Sequence, residues 1–148
     1  MTLAHLLPRW ALHRSMLILV VSFLGFIASG AAAACCNKQV GGTCSGGGQL
    51  CNTTDTFNLP HPGPDKPGEA SFTPGPLTCS DLKIHFFVDG TEVNQTGFVG
   101  PGGTTAPVSL GVITTGNHVV GVKAEGEVGG CNSGTLVSWA GTVHLQPQ

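Results

Sequence analysis

Charge and aromatic side chains are scarce in this sequence of 148 residues. Only 9% of the residues are charged, tyrosine is absent, and arginine stops at Arg14. Beyond residue 34 the chain carries four lysines against eight carboxylates, a net charge of −4. A chain without a basic patch lacks the electrostatic attraction on which binding to nucleic acid or to an anionic membrane depends. We therefore predict neither of these partners.

Sequence motifs for catalysis and for cofactor binding are also missing. The chain has no G-x-S-x-G, no C-x-x-C, and no lysine beside its glycine run at 46–48. These absences remove the signatures of a serine hydrolase, of a zinc or thiol-redox site, and of a phosphate-binding loop. Glu125 and Glu127 share a loop edge, where solvation suits them better than paired acid–base work. We predict that the protein is not an enzyme and that it binds no metal and no cofactor.

Four histidines lie beyond residue 34, namely His61, His85, His118 and His144. His118 shares the parity of apolar valines along its segment, whereas His85 and His144 lie opposite the apolar residues of theirs. A three-histidine metal site needs its ligands on one face. We therefore predict structural or solvated roles for these side chains.

Residues 1–34 have the pattern of a signal peptide. Arg9 and Arg14 precede an apolar run at 16–27, and small residues follow it. A positive start, an apolar middle and small residues at the end are typical of a cleaved export signal. We predict cleavage near residue 33 or 34 and a secreted protein, extracellular or periplasmic. An uncleaved membrane anchor and a lipoprotein lipidated at Cys35 remain as alternatives.

Six cysteines follow the predicted cleavage site. They are Cys35, Cys36, Cys44, Cys51, Cys79 and Cys131. An even number in an exported chain predicts disulfides, three if all pair, with fifteen possible connectivities. A zinc or redox site is the weaker alternative, because the first two cysteines are adjacent and metal-ligand spacing is poor. The stretch 35–51 is rich in glycine and poor in apolar side chains, so cross-links must hold it.

Period-two alternation predicts strands in the second half of the chain. The alternation within residues 107–126 indicates two strands joined by a turn at 114–117, where glycine and asparagine tolerate positive φ. A last strand is predicted at 135–145, with Trp139 on its apolar face and Gly141 marking a bulge or a close neighbour over the indole.

A hairpin is predicted in the middle of the chain. Leu82–Val88 alternates apolar and polar side chains, which is typical of a half-buried strand. Asp89-Gly90 follows as a hairpin signal, and residues 91–95 return as the partner strand. Together with the later strands, this hairpin predicts an all-β fold, an antiparallel sandwich.

The predicted organisation has three parts. Residues 1–34 are the signal peptide, residues 35–80 a Cys/Gly/Pro-rich segment packed on the domain, and residues 81–148 the β-sandwich core. Because residues 60–76 carry six prolines, we predict a loop or extended linker there, with at most a brief edge strand at 69–73.

Two asparagines begin N-glycosylation sequons, Asn52-Thr53-Thr54 and Asn94-Gln95-Thr96. Each sequon is a hint of surface position. Whether either asparagine is modified depends on the organism and stays open.

Three short motifs resemble bacterial extracellular immunoglobulin-like and fibronectin type III-like modules. They are FVDGT at 87–91, VSL at 108–110, and GNHVV at 116–120 with Ala124 behind it. The resemblance covers about residues 82–145 and implies an immunoglobulin-like sandwich whose first strands precede residue 82. It also implies that His118 takes the place of the tyrosine-corner residue, whose polar tip bonds nearby backbone.

One disulfide pairing is favoured by the predicted strands. Cys79 and Cys131 each lie just before a strand, and a bridge between them closes a loop of about 53 residues. Chain entropy gives such a bridge about 4 kcal/mol of stabilisation. We predict this pairing among the fifteen.

Binding is the function that these observations favour. Phe87, by its outward parity, and Phe98 are the aromatics expected at the surface, which suits a protein or cell-surface partner or self-association. In the alternative interpretation, the N-terminal segment covers Phe87. We predict a secreted, disulfide-stabilised, non-catalytic structural or binding module. The alternatives are a small secreted inhibitor or effector acting through the loop 97–107 or 60–76, or a carbohydrate-binding domain.

Overall fold

The computed structural model describes residues 37–147. Eight strands form in this range, and no helix in it is long and apolar enough to cross a membrane. The predicted signal peptide, Cys35 and Cys36 lie outside the described residues. The strands are β1 (Asn37–Thr43), β2 (Asp55–His61), β3 (Lys66–Pro74), β4 (Leu82–Val88), β5 (Thr91–Gln95), β6 (Val108–Ile113), β7 (Gly116–Gly126) and β8 (Ser138–Pro147).

The strands form two antiparallel sheets of four strands each. Sheet 1 has the order β1-β8-β3-β6, and sheet 2 has the order β2-β7-β4-β5. Side chains from both sheets fill one hydrophobic core between them. Its fully buried apolar members include Phe72, Leu82, Ile84, Phe86, Val120, Val122 and Val143. The predicted all-β sandwich is confirmed.

Period-two alternation identified the core faces of β4, β7 and β8 correctly, and along β7 it is Val120, Val122 and Ala124 that are buried. Along β4 the buried residues are every second one, and the same alternation recurs along β8 around Trp139 and Val143. Trp139 is 5% exposed, and its ring meets that of Phe72 edge to face, with centroids 6.2 Å apart. The prediction of Trp139 as a core residue is confirmed.

The hairpin signal is confirmed as well. Asp89 and Gly90 separate β4 from β5 and have φ values of 51° and 83°. Two successive residues with positive φ are typical of the tight turn whose twist matches a hairpin. Asp89 is the only non-glycine residue with positive φ among the described residues, so this turn depends on a side chain that tolerates it.

The prediction of a loop at 60–76 is wrong. β2 continues to His61, and β3 begins at Lys66 and lies in the middle of sheet 1, between β8 and β6. The brief edge strand expected at 69–73 is therefore part of a central strand. Phe72 within it is fully buried.

Prolines are tolerated in these strands because each lies where one side is unpaired. Pro60 is on β2, which pairs only with β7. Pro67 pairs with β6 just beyond the end of the β8 register, and Pro74 pairs with β8 beyond the end of the β6 register. A proline without a ladder partner on one side costs the sheet no hydrogen bond there.

Residues before 81 therefore supply three of the eight strands. β1 and β3 belong to sheet 1 and β2 to sheet 2, so the segment 35–80 builds both sheets as well as packing on residues 81–148.

Gly141 makes room for a different side chain from the one expected. A Cβ built on Gly141 would overlap the ring of Phe72 and lie 2.5 Å from the carbonyl oxygen of Thr73. The indole of Trp139 instead lies beside Gly42, its register partner on β1. The close-neighbour interpretation was right for this glycine, but the neighbour is Phe72.

Side chains tie the two sheets together along both open sides of the sandwich. On the β1/β2 side, the carboxylate of Asp55 accepts a hydrogen bond from the amide of Gly41 at 2.9 Å. On the β5/β6 side, Asn94 Nδ2 donates to the carbonyl of Ser109 at 3.0 Å. These bonds connect strands that no backbone ladder joins.

Candidate functional site

The outer face of sheet 2 carries half of the charged side chains that lie on the eight strands. Alternation along β4 turns Lys83, His85 and Phe87 outward. The register sets His85 opposite Lys123 of β7 and Lys83 opposite Glu125. Glu92 of β5 lies opposite Phe87. Two lysines and two glutamates therefore surround one histidine on this face.

Four of these groups, Lys83, His85, Glu92 and Glu125, form one connected network. Lys83 Nζ donates to Glu125 Oε2 at 3.0 Å. His85 Nε2 lies 3.0 Å from the same oxygen, and His85 Nδ1 lies 2.7 Å from Glu92 Oε1. Exposed ion pairs add little to stability on their own. A connected set does hold its side chains in defined positions, which prepares a surface for recognition.

Glu125 is the centre of this network. Partial burial raises the pKa of its carboxyl, but the hydrogen bonds from His85 and Lys83 and the charges of both outweigh burial, so the pKa lies below its ordinary value. Glu125 consequently stays ionised through the physiological range.

Both predicted surface phenylalanines lie on this face. Phe98 is 40% exposed, and Lys83 Nζ lies 4.5 Å from its ring centroid. Phe87 is half-buried, with Lys123 Nζ at 5.6 Å from its ring centroid. A cation over an aromatic face is an attractive contact. Each ring therefore lies against a lysine and keeps part of its surface toward solvent.

Phe98 is positioned by a backbone pair. The loop after β5 returns to β4, where Val99 and Leu82 exchange two backbone hydrogen bonds of 2.9 Å. This pairing sets Phe98 beside Lys83. Further along, Thr105 exchanges two hydrogen bonds with the backbone of buried Phe72. The loop 97–107 is thus anchored at both ends, which does not suit a free inhibitory arm.

Phe87 has a neighbour from the N-terminal segment. Thr54 and Phe87 lie on either side of Gly121, each within about 3.2 Å of the position that a Cβ would take there. Gly121 thus provides the room for both side chains. Phe87 nevertheless stays half-buried rather than fully covered.

His118 forms a corner with the β4–β5 turn. Its Nδ1 donates to Asp89 Oδ2 at 2.7 Å, and its Nε2 donates to the backbone oxygen of Thr114 at 2.9 Å. The other oxygen of Asp89 accepts the amide of Val119 at 2.9 Å. The predicted bond from the polar tip of His118 to nearby backbone is present, and sequence reasoning missed the carboxylate on the opposite side of the ring.

The electrostatics of this corner follow from its partners. The hydrogen bond to Asp89, and then the one to Thr114, raise the pKa of His118 above its ordinary value. The same bond from His118, and then the Val119 amide, lower the pKa of Asp89. The charged forms of both groups are favoured, because each ring nitrogen of His118 donates to an acceptor and the carboxylate of Asp89 accepts from two donors.

The remaining histidines bind neighbours elsewhere. His144 Nδ1 donates to Asn37 Oδ1 at 2.8 Å, and His144 Nε2 lies 2.9 Å from Thr73 Oγ1. His61 Nε2 donates to the carbonyl of Pro64 at 2.8 Å. Within residues 37–147 no three histidine, cysteine or acidic side chains are grouped in a way that could hold a metal ion.

Four of the six cysteines form disulfides in the described part of the chain. Cys79 pairs with Cys131, as predicted, with Cα atoms 5.6 Å apart. Cys44 pairs with Cys51, with Cα atoms 4.9 Å apart. The first bridge joins the segments leading into β4 and β8, and the second closes the glycine-rich loop after β1. Disulfides are typical of an oxidising, extracellular type of compartment.

Comparison with known proteins assigns no family to this chain. No protein-family model matches the sequence, and no curated protein matches it. Several solved structures share a likeness, two mannanases among them. One is the GH26-CBM35 β-(1,4)-mannanase of Podospora anserina, with 15% identity, 64% of this chain and 19% of that chain covered, and a TM-score of 0.41.

The other structure is a ruminal GH26 endo-β-1,4-mannanase, with 18% identity, 72% of this chain and 21% of that chain covered, and a TM-score of 0.39. The chain spans about a fifth of the length of each enzyme. The likeness is too distant for the substrate or activity of either enzyme to be transferred to this chain.

Proposed function

We propose that this protein is an exported, non-catalytic binding module that recognises a protein partner through the outer face of sheet 2. The observation that supports this most directly is the pair of phenylalanines, Phe87 and Phe98, each held by a lysine at the surface. Aromatic side chains surrounded by polar groups are typical of the centres of protein interfaces.

The opposite surface provides a contrast. The outer face of sheet 1 is mainly neutral, and its side chains bind one another. Gln39 donates to Thr142 at 2.9 Å, and Thr73 lies 2.7 Å from Thr104 and 2.9 Å from His144. This face offers neither an exposed aromatic side chain among its strand residues nor a charge network, so sheet 2 is the better candidate.

Charge balance on the face indicates the kind of partner. Two lysines oppose two glutamates around His85, so the face has no strong net charge. Steering by a highly charged partner is then weak, and we expect affinity to come from the burial of Phe98, Phe87 and exposed Val119, which is 43% exposed.

Non-catalytic function is part of the same proposal. Both ring nitrogens of His85, His118 and His144 bind neighbours within the fold, which leaves no free ring nitrogen on them for a substrate. Trp139, which a sugar-binding platform would need at the surface, is 5% exposed. Both observations favour protein recognition over catalysis and over a tryptophan-based carbohydrate site.

The immunoglobulin-like type also belongs to the proposal. The β3–β6 and β4–β7 pairs correspond to the central pairs of the two sheets in an immunoglobulin domain. The bond from His118 to Thr114, four residues upstream, resembles a tyrosine corner. One feature differs: β8 lies between β1 and β3, and β2 lies beside β7, where an immunoglobulin domain has its last strand.

The test is a binding comparison between matched surface variants. Wild-type protein, Phe98→Ala, and the control Val112→Ala on β6, where Val112 is 64% exposed, are immobilised and exposed to extracellular proteins of the source organism. A partner retained by wild type is then titrated against all three. Loss of a central aromatic costs about 2 kcal/mol or more, so we expect binding to fall at least tenfold in Phe98→Ala.

Self-association is measured on the same proteins by sedimentation. If Val112→Ala weakens binding and Phe98→Ala does not, sheet 1 rather than sheet 2 carries the recognition surface, and the proposal fails.

A further inference from the structure

The two N-glycosylation sequons lie in very different surroundings. We propose that Asn52 carries an N-linked glycan in the exported protein and that Asn94 does not. This inference depends on export and is independent of the binding face proposed above.

Asn52 lies in an accessible turn. It follows Cys51 of the shorter disulfide, and both Asn52 and the sequon hydroxyl residue Thr54 are exposed. Asn52 Nδ2 donates to the hydroxyl of Ser45 at 2.9 Å, and Asn52 Oδ1 accepts from the backbone amide of Ser45 at 3.0 Å. Both bonds lie at the surface, so a sugar on Nδ2 costs at most the exposed bond to the Ser45 hydroxyl. A glycan at this position displaces no core side chain.

Asn94 is in the opposite situation. It is half-buried on β5, and its Nδ2 donates to the carbonyl of Ser109 across the open side between the two sheets. A sugar on this nitrogen would lie at the open side between the sheets and disturb the side-chain bond that joins β5 to β6 there.

The hydroxyl of the second sequon is also occupied. Thr96 is 4% exposed, and its Oγ1 accepts the amide of Ile84 at 2.9 Å and donates to the carbonyl of Gly97 at 2.8 Å. In the folded chain this hydroxyl is not accessible to a transferase that has to recognise the sequon, whereas Thr54 is exposed. A chain modified at Asn94 during synthesis would lose the tie to Ser109, and we expect such chains to be absent from the soluble, disulfide-bonded protein.

The reaction is a glycosyl transfer with a lipid-pyrophosphate oligosaccharide as co-substrate. Nδ2 of Asn52 forms a bond to the anomeric carbon of the first sugar and loses one proton. The bond from that carbon to the pyrophosphate oxygen breaks, and the lipid pyrophosphate leaves with the electron pair. No oxidant or reductant takes part.

The test is translation of the full chain in the presence of endoplasmic-reticulum microsomes, followed by glycosidase digestion and peptide mass spectrometry. Wild type, Asn52→Gln, Thr54→Ala and Thr54→Ser are compared. Serine satisfies the sequon whereas alanine does not. We expect one glycosidase-sensitive species for wild type and Thr54→Ser, and its loss in Asn52→Gln and Thr54→Ala.

Site mapping decides the second half of the proposal. Glycosidase converts a modified asparagine to aspartate, and we expect this change at position 52 alone in soluble, disulfide-bonded chains. A glycan at Asn94 in such chains overturns the proposal. So does a translocated chain without any glycan, and a chain that never enters the vesicles overturns both the predicted export and the modification.

Discussion

Replacing Gly141 by alanine is the sharpest test of the packing between the sheets. The added methyl group would overlap the ring of Phe72 and lie 2.5 Å from the carbonyl of Thr73. Neither the ring of Phe72 nor the backbone beside it can move easily. The ring is fully buried, and the backbone amide of Phe72 is held by Thr105 Oγ1 at 3.0 Å. β8 must therefore move away from β3, or Phe72 must leave its rotamer.

Overpacking of this kind costs about 1–3 kcal/mol. For a domain of this size each kcal/mol lowers Tm by about 4–8 °C, so we expect a loss of about 5–20 °C. The measurement is thermal unfolding together with urea denaturation. Gly97→Ala is the matched control, because a Cβ at Gly97 meets no described atom within 4 Å, and we expect a change of about 0.5 kcal/mol or less.

A double-mutant cycle separates ring overlap from the backbone contact. Phe72→Leu shortens the obstructing side chain, so the pair Gly141→Ala/Phe72→Leu should be less destabilised than the sum of the single variants by at least about 0.5 kcal/mol. Strict additivity, or a Gly141→Ala variant as stable as Gly97→Ala, would refute the reasoning.

Two further predictions concern the disulfides and pH. Replacing Cys79 and Cys131 by alanine should cost about 4 kcal/mol in urea denaturation and removal of the shorter bridge about 2.5 kcal/mol; an equal cost for both would contradict the loop-entropy account. The raised pKa of His118 gives stability that is complete below about pH 6.5 and lost as pH rises through the folded pKa. The lowered pKa of Asp89 gives stability that is complete above about pH 3.9 and lost as pH falls through its folded pKa. The Tm difference between wild type and Asp89→Asn should thus be largest between these values, and a difference that grows above neutral pH would argue against the corner.

Several features of the fold were predictable because their causes are local. The turn at Asp89-Gly90 follows from two neighbouring residues that tolerate positive φ. The core face of β4 follows from alternation within one strand. The Cys79–Cys131 pairing followed from the position of each cysteine just before a predicted strand. These inferences needed no knowledge of which strands are neighbours.

The full length of the strands at 55–61 and 66–74, and the central place of the second, were missed because their prolines indicated a loop with at most a brief edge strand at 69–73. A proline excludes a residue from a strand only when both sides of that strand are paired there. Whether one side of Pro67 or Pro74 is free depends on how far β6 and β8 extend along β3. That extent is a property of the assembled sheet.

The candidate site was predictable only in part. Outward parity correctly placed Phe87, Lys83 and His85 on one face. The arrangement of charges around them depends on the register that brings Glu125 and Lys123 of β7, distant in sequence, beside β4. No pattern within one strand gives the register between two strands.

By itself, the sequence determined the β character of this protein, the alternation of its core strands, its hairpin turn and its disulfide chemistry, because these depend on the conformational and chemical preferences of neighbouring residues. The tertiary structure decided that the proline-containing segment supplies a central strand, that Gly141 makes room for Phe72, and that lysines lie over both surface phenylalanines. It also decided which of two identical-looking sequons is accessible. These outcomes depend on contacts between residues far apart in the chain, and only the folded arrangement of the two sheets brings those residues together.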